Sequence, residues 1–174
     1  MVRIHAALIA AALVLSGCYT TKTALTGTVR TIHVAPVENA IDLSAEISDR
    51  DRFRVYRPGL EVDITNAVIN RFIFDGSLKV AGPGADAVFR GKLLEYRRDP
   101  LRYSEGDDVQ EYRLNIVIDA SVATAAGKDL WSGQVVGDTT FFLTGSRATS
   151  EDEALARAVE DLARRVVEKT VELW

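Results

Sequence analysis

The stretch from Tyr112 to Val122 limits the possible folds more than any other part of the chain. Tyr112, Leu114, Ile116, Ile118 and Val122 fall on one side of a two-residue repeat, and Arg113, Asn115, Asp119 and Ser121 fall on the other. Period two is the side-chain period of a strand, so the segment predicts a half-buried strand with one apolar and one polar face. The next apolar segment repeats the pattern, with Trp131, Val135 and Phe141 opposing Ser132, Gln134, Asp138 and Thr140. A pairing slip of one residue would turn the polar set into the core, so the register is strongly specified.

The flanking segments extend this into a sheet. Ala87 to Arg97 predicts the strand before, Glu111 to Ala123 the middle strand, and Leu130 to Leu143 the strand after, entered through a tight turn at Ala126-Gly127-Lys128. Three consecutive strands make an antiparallel meander. Between the first two, Pro100 cannot donate to a ladder and marks a bend or a strand end. The turn-rich Ser104-Glu105-Gly106-Asp107-Asp108 follows it. Upstream, Val29 to Val37 predicts a first strand with Ile32 and Val34 on one face. Leu78-Lys79-Val80 predicts a short strand, and Gly82-Pro83-Gly84 a turn. Asn39 to Tyr56, centred on Asp49-Arg50-Asp51-Arg52, reads as an exposed charged loop.

Two segments change to the helical period. After Arg57-Pro58-Gly59, the residues Leu60, Ile64, Ala67, Val68 and Phe72 share one helix face, and Asp75-Gly76 stops it. Ser150-Glu151-Asp152-Glu153 is a capping box. The Ser150 hydroxyl can accept from the Glu153 backbone N–H while the Glu153 side chain reaches back. The helix it opens runs to about Leu173, with Leu155, Ala158, Val159, Leu162, Val166 and Val167 as its apolar stripe. The order β-α-β-β-β-β-α predicts an α+β fold: a two-layer sandwich of a mixed, mostly antiparallel sheet with two helices on one face. A chain of 174 residues leaves room for one such domain, hardly two.

The N-terminus reads differently. Arg3 precedes an apolar run from Ala6 to Leu15, about 15 Å long as a helix. A bilayer core needs about 20 residues, so residues 1–17 read as a signal peptide and not a span. Leu15-Ser16-Gly17-Cys18 follows, and Cys18 is the only cysteine of the chain. A lone cysteine forms no intramolecular disulfide. Behind small residues and a short apolar run, it resembles the lipid-modified cysteine of a bacterial lipobox. Cys18 is thus the expected attachment point of acyl chains, and two or more chains give stable anchoring. Tyr19 in place of an aspartate favours the outer membrane by the same resemblance. Residues 18–27 read as a polar tether, and residues 28–174 as the single folded domain.

Little in the chain supports catalysis or metal binding. The two histidines are His5 and His33, too few for a multi-histidine metal site. His33 lies on a strand with no nucleophile or orienting partner in a nearby motif, and reads as a satisfied or surface histidine. The proline in Gly82-Pro83-Gly84 blocks a phosphate-cradling nest, and Asp107-Asp108 lacks the ligand spacing of a calcium loop. No cofactor is implied. A net charge of -4 provides no basic footprint for nucleic acid. Trp131 and Trp174 read as packing residues. The arginines carry more information. Arg97, Arg98 and Arg102 flank Pro100 at one sheet end, and Arg50, Arg52, Arg54 and Arg57 lie in or beside the long loop. Arginine forks match phosphate, which suits an anionic glycolipid head group. The alternative is that Asp49, Asp51, Asp99 and Glu105 neutralise them as ordinary surface.

The chain also resembles a known family. Val34-Ala35-Pro36-Val37-Glu38-Asn39, Pro58-Gly59-Leu60-Glu61, Ala85-Asp86-Ala87-Val88, Gly91-Lys92-Leu93 with Tyr96, Glu111-Tyr112-Arg113-Leu114, Leu130-Trp131 and Gly137-Asp138-Thr139-Thr140-Phe141 occur in order before the final helix. Together with the lipobox, they resemble the LPS-assembly lipoproteins, the LptE family, over most of residues 18–174. The resemblance implies an outer-membrane lipoprotein, not an enzyme, on the periplasmic face. Such a protein plugs and helps assemble an LptD-like β-barrel and binds lipopolysaccharide (LPS) on its way to the outer leaflet. Arg97, Arg98 and Arg102 are the candidate LPS contacts by charge and placement. The loop from Ala40 to Arg57 is longer and more charged than is usual in the family. An accessory lipoprotein of another envelope secretion or assembly machine is the competing expectation.

Overall fold

The computed structural model describes residues 29–41 and 57–172. Cys18, the tether, Arg50, Arg52, Arg54 and Trp174 lie outside them. The elements are β1 (Thr31–Val34), β2 (Glu38–Asn39), α1 (Leu60–Asp75), β3 (Lys79–Val80), β4 (Ala87–Tyr103), β5 (Val109–Thr124), β6 (Asp129–Phe142) and α2 (Glu151–Val171). The main path of the sheet is β3-β1-β4-β5-β6, with β2 paired beside β4. The β4-β5-β6 meander is antiparallel, while β1 pairs in parallel with β3 and β4, and β2 in parallel with β4. The fold is α+β with a mixed, mostly antiparallel sheet, as the periodicities predict. The short β2 is the one strand they miss.

Alternation decides which side of the sheet is dry. Leu114, Ile116, Ile118, Ala120 and Val122 are all buried on β5. Their partners on β6 include Gly137 opposite Ile116 and Trp131 opposite Val122. α2 lies against this side. A Cβ on Gly137 would meet the Ala158 carbonyl oxygen and the Leu162 Cβ, each at 2.5 Å. The Trp131 indole also donates to the Thr170 hydroxyl at 3.1 Å, which fixes the far end of the helix. The expected stripe of α2 is buried throughout, and Ala154, Ala163 and Thr170 join it. α1 packs beside α2 and buries Leu60, Ile64, Val68 and Phe72.

Capping follows the sequence in part. The Ser150 hydroxyl accepts from the Glu153 backbone N–H at 3.1 Å, but the Glu153 carboxylate turns outward to Arg157. Gly76 ends α1 in the left-handed region at φ 74, and its N–H donates to the Phe72 carbonyl. There an L side chain would be strained.

β4 departs from the sequence reading. Ala87, Phe89 and Leu93 are buried, and then Tyr96 is. The ladder to β5 slips between Leu93 and Glu95, so Leu94 is an extra residue that shifts the buried set from odd to even positions. Pro100 does not end the strand, which runs on to Tyr103. The reason lies in the neighbours. β1 and β2 flank β4 only as far as Leu93, so beyond it β5 is the one described partner. An edge tolerates a residue without an N–H, and the register shifts again between Pro100 and Arg102.

Candidate functional site

The fold has two distinct ends. β1, β3 and β4 run parallel and start at one of them. The β4–β5 hairpin turns at the other, where it outruns β6. Its ladder with β6 stops at Glu111 opposite Phe142, while β4 and β5 stay paired out to Tyr103 and Val109. The tip closes through Asp107 at φ 63 and the Ser104 hydroxyl, which accepts from the Gly106 and Asp108 N–H groups. Both helices begin near this hairpin end. Arg57, just before α1, donates to Asp152 in the first turn of α2 at 2.6 Å.

The three candidate arginines all lie toward this end, but on different faces. Arg98 is opposite Leu114, on the side of the core. It donates to Glu151 at 2.6 Å, and its guanidinium lies 4.9 Å from the centre of the Tyr112 ring. The Tyr96 hydroxyl donates to the second oxygen of the same carboxylate at 2.9 Å. Burial and then the Glu151 carboxylate push the Tyr96 phenol well above its ordinary range. Arg98 therefore ties the hairpin to the start of α2. Arg97 is on the polar face, held by Asp99 at 2.8 Å and Glu95 at 3.0 Å, with Asn115 also donating to Asp99.

Arg102 is the most open of the three. Its side chain is 59% exposed, and among the described residues its one carboxylate contact, Glu111, is at 3.7 Å. It shares the polar face with Phe142, whose ring centre is 5.9 Å from its guanidinium. Arg147 covers the same ring at 4.4 Å. Residues 143–149 fold back to put it there: Thr149 donates its N–H to the Phe142 carbonyl, and Ala148 forms a bridge to Phe142. Among the described residues Arg147 has no carboxylate partner. Leu101, Tyr103 and Leu143 are exposed around this group. The hairpin end thus combines open guanidinium groups with exposed apolar and aromatic surface. Phosphate or carboxylate can take the first and lipid or sugar rings the second.

No sequence pattern points to Arg147, because only the folded-back loop brings it to Phe142. Asp86, in the Ala85-Asp86-Ala87-Val88 motif, has a role that the sequence pattern alone does not show. Its carboxylate accepts from the Arg30 N–H, the Thr31 N–H and the Thr31 hydroxyl, all at 2.9 Å, and clasps the start of β1 to the start of β4. The bond from the Arg30 N–H, then those from Thr31, hold its pKa below the usual carboxylate range. His33 contacts the Ala81 carbonyl through Nδ1 at 3.3 Å. A groove of about 800 Å³ lies between α1 and α2, and residues such as Arg57, Asp63, Arg71 and Glu160 line it without a histidine, cysteine or serine. Among the described residues, no cluster of three or more His, Cys, Asp or Glu side chains could hold a metal ion. Nor is any described helix long and apolar enough to cross a membrane.

The fold occurs in other solved proteins. The chain is similar to a protein of Xanthomonas campestris at 14% identity and a TM-score of 0.57, with 83% of this chain and 85% of that one covered. It is similar to PelC, a dodecamer from Paraburkholderia phytofirmans, at 14% identity and a TM-score of 0.50, covering 83% and 90%. Rare lipoprotein B from Shewanella oneidensis aligns at 14% identity and a TM-score of 0.46, covering 80% and 91%. For the first two, at these identities, the likeness is one of fold. No curated protein is a significant match. The lipopolysaccharide-assembly family model, LptE, matches residues 29–170, from the start of β1 through nearly all of α2. The chain belongs to the LptE family of lipopolysaccharide-assembly proteins.

Proposed function

We propose that this protein is an outer-membrane lipoprotein, held on the periplasmic face by acyl chains on Cys18. In this reading it plugs and helps assemble an LptD-like β-barrel and binds LPS during transfer to the outer leaflet. It acts by binding, not catalysis. The family match over residues 29–170 carries the reading. Two features of the fold support it. The sheet side away from α2 is polar, with Arg90, Lys92, Arg113 and Asp119 exposed, which suits the polar lumen of a wide barrel. The hairpin end offers guanidinium groups beside exposed Leu101, Tyr103 and Leu143, and LPS presents anionic phosphates beside apolar chains.

Arg97, Arg98 and Arg102 are the proposed LPS contacts, and Arg147 joins them beside Phe142. The weight falls on Arg102 and Arg147, because Arg97 and Arg98 are engaged by carboxylates closer than 3.1 Å. Titration of purified chain with LPS tests this. Arg102→Glu/Arg147→Glu should weaken binding by tenfold or more, about 1.4 kcal/mol, with the melting temperature unchanged. Unchanged LPS affinity would remove the hairpin end from the reading. An accessory role in another envelope machine is the competing proposal, since a fold shared with a dodecamer such as PelC does not by itself name the partner.

A further inference from the structure

The end of the fold opposite the hairpin is where the chain departs toward Cys18. Val29 is the first described residue, and the Arg30 carbonyl accepts from the Lys79 N–H at 3.0 Å. This bond sets the departure point beside the short link between α1 and β3. Just before that link, the last turn of α1 exposes Ile73 at 63% and Phe74 at 80%. Isolated exposed apolar residues are ordinary, but these two are adjacent and sit where the tether leaves. Asp75 caps nothing inside the helix; its carboxylate accepts from the Ser77 N–H and stays in the link. Arg71 lies one turn back, its guanidinium 5.3 Å from the Phe74 ring centre. Lys79 is exposed beyond the link and Asp75 follows Phe74 directly, and Phe74 also lines the groove between the helices with Arg71 and Glu160.

Tether length supplies the second constraint. Cys18 and Val29 are eleven residues apart, so the chain between them spans at most roughly 40 Å when fully extended. If acyl chains hold Cys18 in a leaflet, this end of the fold cannot leave the bilayer surface by more than that. A phenylalanine and an isoleucine on a helix end, with Arg71 against the phenylalanine ring, are the residue types that settle into the headgroup boundary.

Resting on the Cys18 anchor proposed above, we infer that Ile73 and Phe74 at the C-terminal end of α1 are a bilayer-contact site. It seats this end of the domain against the lipid surface where the anchor enters it. The anchor alone sets only a greatest distance from the bilayer. The contact adds orientation.

The test uses the full chain, purified in detergent and reconstituted into phosphatidylethanolamine–phosphatidylglycerol vesicles. An environment-sensitive fluorophore is placed through Phe74→Cys, or through Glu105→Cys at the exposed hairpin tip as the comparison. Both sites are exposed, so both variants should fold. The expected result is a shift to shorter wavelength for the probe at position 74 and none for the probe at 105. Intact mass reads acylation of Cys18 separately. An acylated chain whose probe at 74 stays water-like overturns the contact and leaves the anchor standing. Should intact mass show Cys18 unacylated, its free thiol would take the fluorophore too, so the probe is then read in a Cys18→Ser background: a shift at 74 removes the anchor and keeps the contact, and no shift removes both. A shift at both positions, or at 74 only once a partner barrel is added, overturns the assignment to lipid.

Discussion

Gly137 offers the sharpest test of how the two layers meet. It sits on β6 opposite the buried Ile116, directly under α2. An alanine methyl there would lie 2.5 Å from the Ala158 carbonyl oxygen, 2.5 Å from the Leu162 Cβ and 2.8 Å from the Leu162 backbone N. Two of these three atoms are main chain, so no rotamer change relieves the overlap and the helix itself must move. Overpacking a core typically costs about 1–3 kcal/mol, and Gly137→Ala belongs at the upper end, about 3 kcal/mol. For a chain of this size that lowers the melting temperature by roughly 6–12 °C. Two other glycines calibrate the scale. At Gly91 the added methyl would meet the Val37 Cγ2 at 3.1 Å and the Phe89 ring at 3.3 Å, both side-chain atoms that can give. Gly82 has nothing within 4 Å and carries no unusual φ. Urea titration should rank the alanine variants Gly137 as most destabilised, then Gly91, with Gly82 within about 0.5 kcal/mol of the parent. A Gly137→Ala midpoint equal to the parent's would refute the packing of α2 on β6.

Other substitutions probe the remaining contacts. Tyr96→Phe removes the bond to Glu151 and leaves that carboxylate to Arg98; a loss of about 1–2 kcal/mol in urea is expected, and a smaller effect in an Arg98→Ala background would confirm that both act through Glu151. Ser150→Ala deletes the α2 N-cap, with an expected loss of about 1 kcal/mol by the same measurement. Asp86 has a folded pKa depressed by the Arg30 and Thr31 donors. Its contribution is therefore fully present above the unfolded value of about 3.9 and is lost as pH falls through the lower folded value. Asp86→Asn should remove that part of the acid sensitivity, so the gap in urea midpoint between parent and variant narrows on acidification from neutral pH to below pH 4. A gap that stays constant would contradict the assignment.

Much of this fold can be read from local period. The buried set of β5 and the stripe of α2 lie where alternation and helical spacing place them, because each faces a single dry layer. β4 resists the same reading for two physical reasons. The bulge at Leu94 reverses its parity midway, so no single alternation fits the whole strand. Pro100 is accommodated by an edge that exists only because β1 and β2 are short, and strand length elsewhere in the sheet is not visible at Pro100 itself. The candidate site divides along the same line. Arg97, Arg98 and Arg102 could be placed at one sheet end from their neighbourhood to Pro100. Their faces could not, since the register shift between Pro100 and Arg102 sends Arg102 to the side of Phe142. Arg147 depends on a loop that doubles back, and Asp86 on a partner 55 residues away in sequence.

The proposed role in LPS assembly is a claim about a partner, and affinity purification of the full tagged chain from envelope membranes addresses it most directly. Mass spectrometry of the co-purifying proteins should find a large outer-membrane β-barrel of the LPS-translocon type as the principal partner. Recovery of a secretin or another secretion pore in its place would contradict the account.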